Sequence, residues 1–220
     1  MDTIIQFGEN IREYDFPVLN EREIRASAGI LFLATFISAM FVEFRNNFLP
    51  IKYVLTVFLV DFIIRVFVNP KFSPTLIIGR LIVVNQTPEY VDAQPKRFAW
   101  VMGVIISATM FTLIVIMNSY SIITGVLCII CLVFLFFESA FGICLGCKFY
   151  PLFFKDKPKR CAGEVCAVRS RQDIQRISNA QLLIVCSFAA LVCLLAWFFN
   201  DHFSHEPHDL FRTYVSSRSK

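Results

Sequence analysis

The chain has 220 residues, of which 56% are apolar and only 17% charged, with 25 phenylalanines and a mean hydropathy of +0.62. Ordinary soluble domains carry about 25% charged residues, so the composition excludes a soluble globular fold and predicts an all-α polytopic integral membrane protein with the lipid bilayer as its partner. The net charge of +4 sits in loops beside apolar runs rather than in one basic patch, which argues against a nucleic-acid module.

Residues 1–25 form a polar N-terminal segment with no short basic stretch leading into an apolar one, so no cleaved signal peptide is expected. Asn20, followed three residues on by Glu23, has the form of a capping box and starts the first helix. The first span is expected over about 26–44 and the second over about 50–68, ended by Asn69-Pro70. Ser73-Pro74 opens a short helix near 74–84, too short to span. It is expected to lie in the interface or re-enter the membrane, with Arg80 snorkelling. Residues 85–97 read as a loop. The third span is expected over about 98–117, and the turn Asn118-Ser119-Tyr120-Ser121 makes it a hairpin with the fourth, about 122–147. These four spans form a core over 26–154. A basic, Cys-containing loop (155–178), a fifth transmembrane helix (179–199) and an external His-containing tail (200–220) follow.

Counting Lys and Arg with the N-terminus inside gives 15 on inner segments and 5 on outer ones. That bias predicts a bacterial cytoplasmic membrane protein with its N-terminus inside and its C-terminus outside.

Four stretches carry a likeness: NEREIRASAG at 20–29, VDFIIRVFVNPKFSP at 60–74, VDAQPKRFAW at 91–100 and ESAFGICLGCKFYPLF at 138–153. On these the chain resembles the bacterial membrane family catalogued as domain of unknown function 4395, over about residues 20–154. The resemblance implies a four-span core and adds weight to Asp61, Arg65, Glu138, Cys144 and Cys147, but it supplies no activity.

Asp61 and Arg65 fall four residues apart on one helix face in mid-span. Intramembrane charges are costly, and they point either to a structural ion pair or to a polar pathway. Glu138 is expected to pair with Arg65 or to stay protonated as a proton donor. Cys144-Leu145-Gly146-Cys147 allows disulfide cycling or soft-metal ligation, and otherwise reads as inert cysteines in a helix-ending turn. It is expected at the C-terminal end of the fourth span, with Gly146 freeing the turn. Lys148 would favour thiolate there and the helix dipole would oppose it. With Cys161 and Cys166 the pattern reads C-x2-C-x13-C-x4-C, which suits a zinc site or an iron–sulfur cluster. His202, His205 and His208 form an external cluster, read as metal capture or as a solvated tail. Cys128, Cys131, Cys186 and Cys193 lie in apolar runs and read as small hydrophobes.

Three functions therefore stand side by side. One is thiol-based redox or sulfur handling through Cys144 and Cys147 with a thioredoxin-like partner. The second is a small-solute or ion carrier using Asp61, Arg65 and Glu138. The third is a non-catalytic membrane scaffold.

Overall fold

The computed structural model describes residues 7–9, 16–153 and 177–209. It is a helical bundle sealed at one end by a short ribbon. Strand β1 (Val18–Asn20) runs straight into helix α1 (Glu21–Arg45). Asn20 caps that helix as its sequence predicts: its Oδ1 accepts from the Arg22 amide and its Nδ2 donates to Glu23. Asn46, in the left-handed conformation, closes the helix.

Helix α2 (Leu49–Ile63) continues into a π-helical turn, Ile64–Val68. Asn69 stops it, and Ser73 caps the short helix α3 (Pro74–Ile82) by accepting from the Leu76 amide. Helix α3 packs closely on α1: a Cβ on Gly79 would stand 2.6 Å from the Glu23 carbonyl oxygen. Arg80 is accordingly buried, not snorkelling. It pairs with Glu23 at 3.0 Å and with Glu9 at 3.2 Å.

Strand β2 (Tyr90–Asp92) pairs antiparallel with β1, Leu19 opposite Val91. Helix α4 (Ala93–Phe111), capped by Asp92, starts directly from it and ends in a second π turn, Thr112–Ile116. The helix thus begins before Phe98, and residues 93–97 are helical rather than loop. Pro95 is no obstacle, because the first turn of a helix needs no amide donor. The ribbon matters for function because it sets the first turns of α1 and α4 side by side.

Strand β3 (Ser119–Tyr120) leads to helix α5 (Ile122–Phe136), capped by Ser121 and followed by a third π turn, Phe137–Phe141. Gly142, at φ +68°, ends this helix in the left-handed region that favours glycine. A separate helix α6 (Leu145–Phe153) follows, so the fourth apolar segment does not run unbroken to Cys147. Helix α7 (Asn179–Ser204) opens on a capping box between Ser178 and Gln181, and strand β4 (His208–Asp209) pairs parallel with β3.

The main core lies between α1, α2, α4 and α5, around Ile24, Leu31, Phe58, Phe62, Trp100 and Leu135. Among the described residues, four helical stretches are long and apolar enough to cross a membrane: Glu21–Arg45, Ala93–Ile116, Ile122–Phe141 and Asn179–Ser204. The expected second span, α2 with its π turn, carries Lys52, Asp61 and Arg65, all of them buried against protein.

Candidate functional site

The Asp61–Arg65 spacing produces the contact that helix geometry predicts. Arg65 Nε donates to Asp61 Oδ2 at 2.7 Å, and both side chains are almost fully buried. Asp61 Oδ1 accepts from Ser73 Oγ and from the Thr75 amide, while Oδ2 also accepts from Thr75 Oγ1. Arg65 Nη2 donates to Ser27 and Thr75. The guanidinium carbon lies 4.7 Å from the Phe62 ring centre and 5.2 Å from that of Trp100, within cation–π range. One ion pair thereby ties α1, α2, α3 and α4 together near the C-terminal end of α2.

Glu138 pairs elsewhere. Its Oε1 is 2.5 Å from Lys96 Nζ, and the same nitrogen is 2.7 Å from Glu21 Oε2. The expected pairing of Glu138 with Arg65 is therefore corrected to Lys96. The cause is tertiary: the β1–β2 ribbon brings the first turn of α4 beside that of α1, and the π turn after α5 delivers Glu138 to the same point. Arg25 closes the rim, donating to the Ala140 carbonyl at 3.4 Å with its side chain over Gly142.

The cysteine pair sits just beyond Gly142. Cys144 occupies the cap position of α6, where its Sγ accepts from the Cys147 amide at 3.3 Å. The two sulfurs lie at disulfide distance, with Cα atoms 5.2 Å apart, inside the range a disulfide needs. The pair therefore stands at a helix N-terminus, not at the C-terminal end expected. The sign of the helix dipole reverses with it: an N-terminus favours a thiolate. Gly146 serves packing rather than freedom. A Cβ there would stand 2.6 Å from that of Ala99, so only glycine lets α6 lie against α4 one turn from Lys96.

These parts meet at one cavity of about 70 Å³, several times the roughly 10–15 Å³ that a single water requires. Its walls are mostly apolar, including Phe58, Phe62 and Trp100. Arg65, Glu138 and Cys144 also line it, whereas Cys147 does not. Asp61 stands behind Arg65.

Other sequence candidates are not brought here. His202 Nε2 lies 3.3 Å from the Val115 carbonyl oxygen, and the His205 main-chain carbonyl accepts from Lys52 at 2.8 Å. His205 follows the end of α7 and His208 is in β4, so the three do not share a helix face. Cys161 and Cys166 lie outside the described residues. Among those described, no three His, Cys, Asp or Glu side chains converge to hold a metal.

Glu21, Lys96 and Trp100 are site residues that sequence reasoning missed. The local signal at Lys96 was obscured by the neighbouring Pro95, which suggested a loop.

The family model described as Domain of unknown function (DUF4395) matches residues 19–155. No match exists among curated proteins or among solved structures.

Proposed function

Because the chain belongs to the DUF4395 family, whose description assigns no activity, its chemistry has to be read from its own residues, and we propose thiol–disulfide exchange at one face of a membrane. The observation that carries this reading is the Cys144–Cys147 pair at disulfide distance on a helix N-terminus, with Cys144 on the wall of a cavity that Glu138 shares.

The reaction balances with a partner dithiol, such as a thioredoxin-like protein. A partner thiolate attacks Cys147 Sγ, and the Cys144–Cys147 bond breaks. Cys144 leaves with the electron pair as a thiolate held at the α6 N-terminus. The partner's second thiolate then attacks its own sulfur in the mixed disulfide and releases Cys147. Two electrons pass to the cysteines, and the partner's two thiol protons end on the two new thiols. The reverse sequence oxidises the pair.

The membrane setting follows the same reading. Leu49–Val68 crosses as a fifth span because its charges turn inward to protein partners, away from lipid. The bias of 15 inner to 5 outer basic residues puts the cysteine end at the cytoplasmic face of a bacterial inner membrane. A carrier role for Asp61 and Arg65 is less favoured, since both Asp61 oxygens are engaged by fixed donors.

The test is a redox titration of full-length protein in nanodiscs, read by alkylation mass shift. The expected result is that Cys144 and Cys147 titrate together as one two-electron couple, while Cys186 and Cys193 do not change. Cys144→Ser, which keeps Cys147, should capture the disulfide form of a thioredoxin-like protein as a mixed disulfide, with the partner's second sulfur leaving as a thiolate, and Cys147→Ser should not. Absence of a reversible couple in the wild type would end this reading.

A further inference from the structure

We infer that Glu138, Lys96 and Glu21 form a proton store for the cysteine pair, in which Glu138 exchanges a proton with Cys144 across the cavity and Lys96 is the positioning residue. The inference rests on the thiol–disulfide reading above and goes beyond it by assigning the route of the proton.

Charge is the first argument. One carboxylate neutralises Lys96, yet two face it, Glu21 at 2.7 Å and Glu138 at 2.5 Å. With both ionised, the buried group carries one negative charge, and one added proton makes it neutral. A buried unit charge is expensive and a neutral hydrogen-bonded group is not, so the cluster takes up and releases one proton with little rearrangement. Two further cations stand nearby: Arg65 is matched by Asp61, and Arg25, one helical turn from Glu21 and turned to the Ala140 carbonyl at the exposed rim, keeps its charge and offsets part of the surplus.

Position is the second argument. One of the two carboxylates faces the chemistry: Glu138 lines the same cavity as Cys144. It stands in a π turn, a local widening often found at functional sites. Lys96 lies one helical turn before Trp100 on α4, the helix against which Gly146 seats the cysteine turn. Glu21 stands at the start of α1, with its amide bonded to the Glu89 carbonyl at the end of the bundle. The three side chains form one contiguous hydrogen-bonded row from the cavity to the first residue of α1.

In the exchange step, Cys144 leaves as a thiolate and takes the stored proton from Glu138. In the reverse step, Cys144 attacks the mixed disulfide and gives its proton back to the Glu138 carboxylate. The store refills through Glu21. No atom or electron is added to those of the exchange itself.

The test measures single-turnover reduction by dithiothreitol from pH 5 to 9, on full-length protein in nanodiscs. The variants are E138Q, K96M, K96R and E21Q. A positioned proton donor contributes on the order of 100-fold or more, so E138Q is expected to slow the step by about that factor and to lose one limb of the pH profile. K96M leaves two carboxylates facing each other and should move that limb up by about one unit or more. K96R should restore it, and E21Q should move it the other way. Should K96M fail to fold, E138Q and E21Q still decide, since each leaves Lys96 one carboxylate. A couple that cycles in all variants with an unmoved pH profile overturns the proton store and leaves the exchange reading intact. A wild type that does not cycle overturns the exchange reading itself.

Discussion

Helix α2 carries two buried cations, and the protein treats them in opposite ways. Arg65, at its π-helical end, is met by a carboxylate, three hydroxyls and two aromatic rings. Lys52, thirteen residues earlier and about 20 Å away at ~1.5 Å per residue, is met by neutral oxygens. Its Nζ donates to Asn118 Oδ1 at 2.7 Å and to the main-chain carbonyls of Phe203 and His205 at 3.2 and 2.8 Å. Among the described residues no carboxylate pairs with it. The Arg65 end is the end of matched charges, where Arg80, Lys96 and Arg22 also meet Glu23, Glu21 and Glu89. The Lys52 end is a seam. It fastens the last turn of α7, which lies beyond the family match and touches the core little along its length, to α2 and to the turn after α4. Charge pairing therefore builds the end that holds the cysteines, while hydrogen bonding to carbonyls attaches the appended helix.

That contrast predicts unequal costs. Asp61→Ala leaves Arg65 as an uncompensated buried charge and should lower stability by about 3–5 kcal/mol. Replacing both partners by apolar residues, Asp61→Leu with Arg65→Met, should recover much of the loss. Thermal melts in detergent check both, and an Asp61→Ala protein that melts like wild type would break the comparison.

Lys52→Met removes the donor but leaves only neutral acceptors behind, which water can reach from the bundle end. The expected cost is smaller, about 1–3 kcal/mol, and local: amide exchange should quicken at residues 200–204 and stay unchanged at 21–28. Faster exchange at both ends would mean that the seam supports the whole bundle.

The smallest effect concerns Glu9 and sharpens the account of the charged end. Burial pushes its carboxyl above the ordinary value of 4.5, while Arg80 pulls the other way. A carboxyl raised on folding adds stability below its unfolded pKa, and that gain is lost as pH rises through the folded value. Glu9→Gln should remove this slope. The wild type should lose melting temperature relative to the variant as pH rises from 4.5 toward neutrality, with Glu23 still holding Arg80 by two hydrogen bonds. Equal slopes in the two proteins would mean that Arg80 fully compensates the burial of Glu9.

What the sequence determined by itself is what depends on near neighbours. Asn20, Ser73 and Ser178 cap helices because a side-chain oxygen reaches an amide two or three residues on. Asp61 meets Arg65 because four residues make about one turn. The apolar helices follow from composition, and the closeness of Cys144 and Cys147 from their three-residue spacing. Only the tertiary structure decided the rest. Lys96 finds Glu21 across 75 residues and Glu138 across 42, because a three-residue ribbon pins two helix starts together. Lys52 finds its carbonyls across more than 150. Arg80 looked like a snorkelling side chain until α3 closed on α1. Gly142 is the residue type that ends helices, but the apolar run continuing past it masked the break, which moves the cysteines from the negative end of one helix to the positive end of the next. Helix spacing is a property of the chain's own geometry and can be read in line. Which distant charge answers a buried one is set by how whole elements pack, and no window along the chain contains both partners.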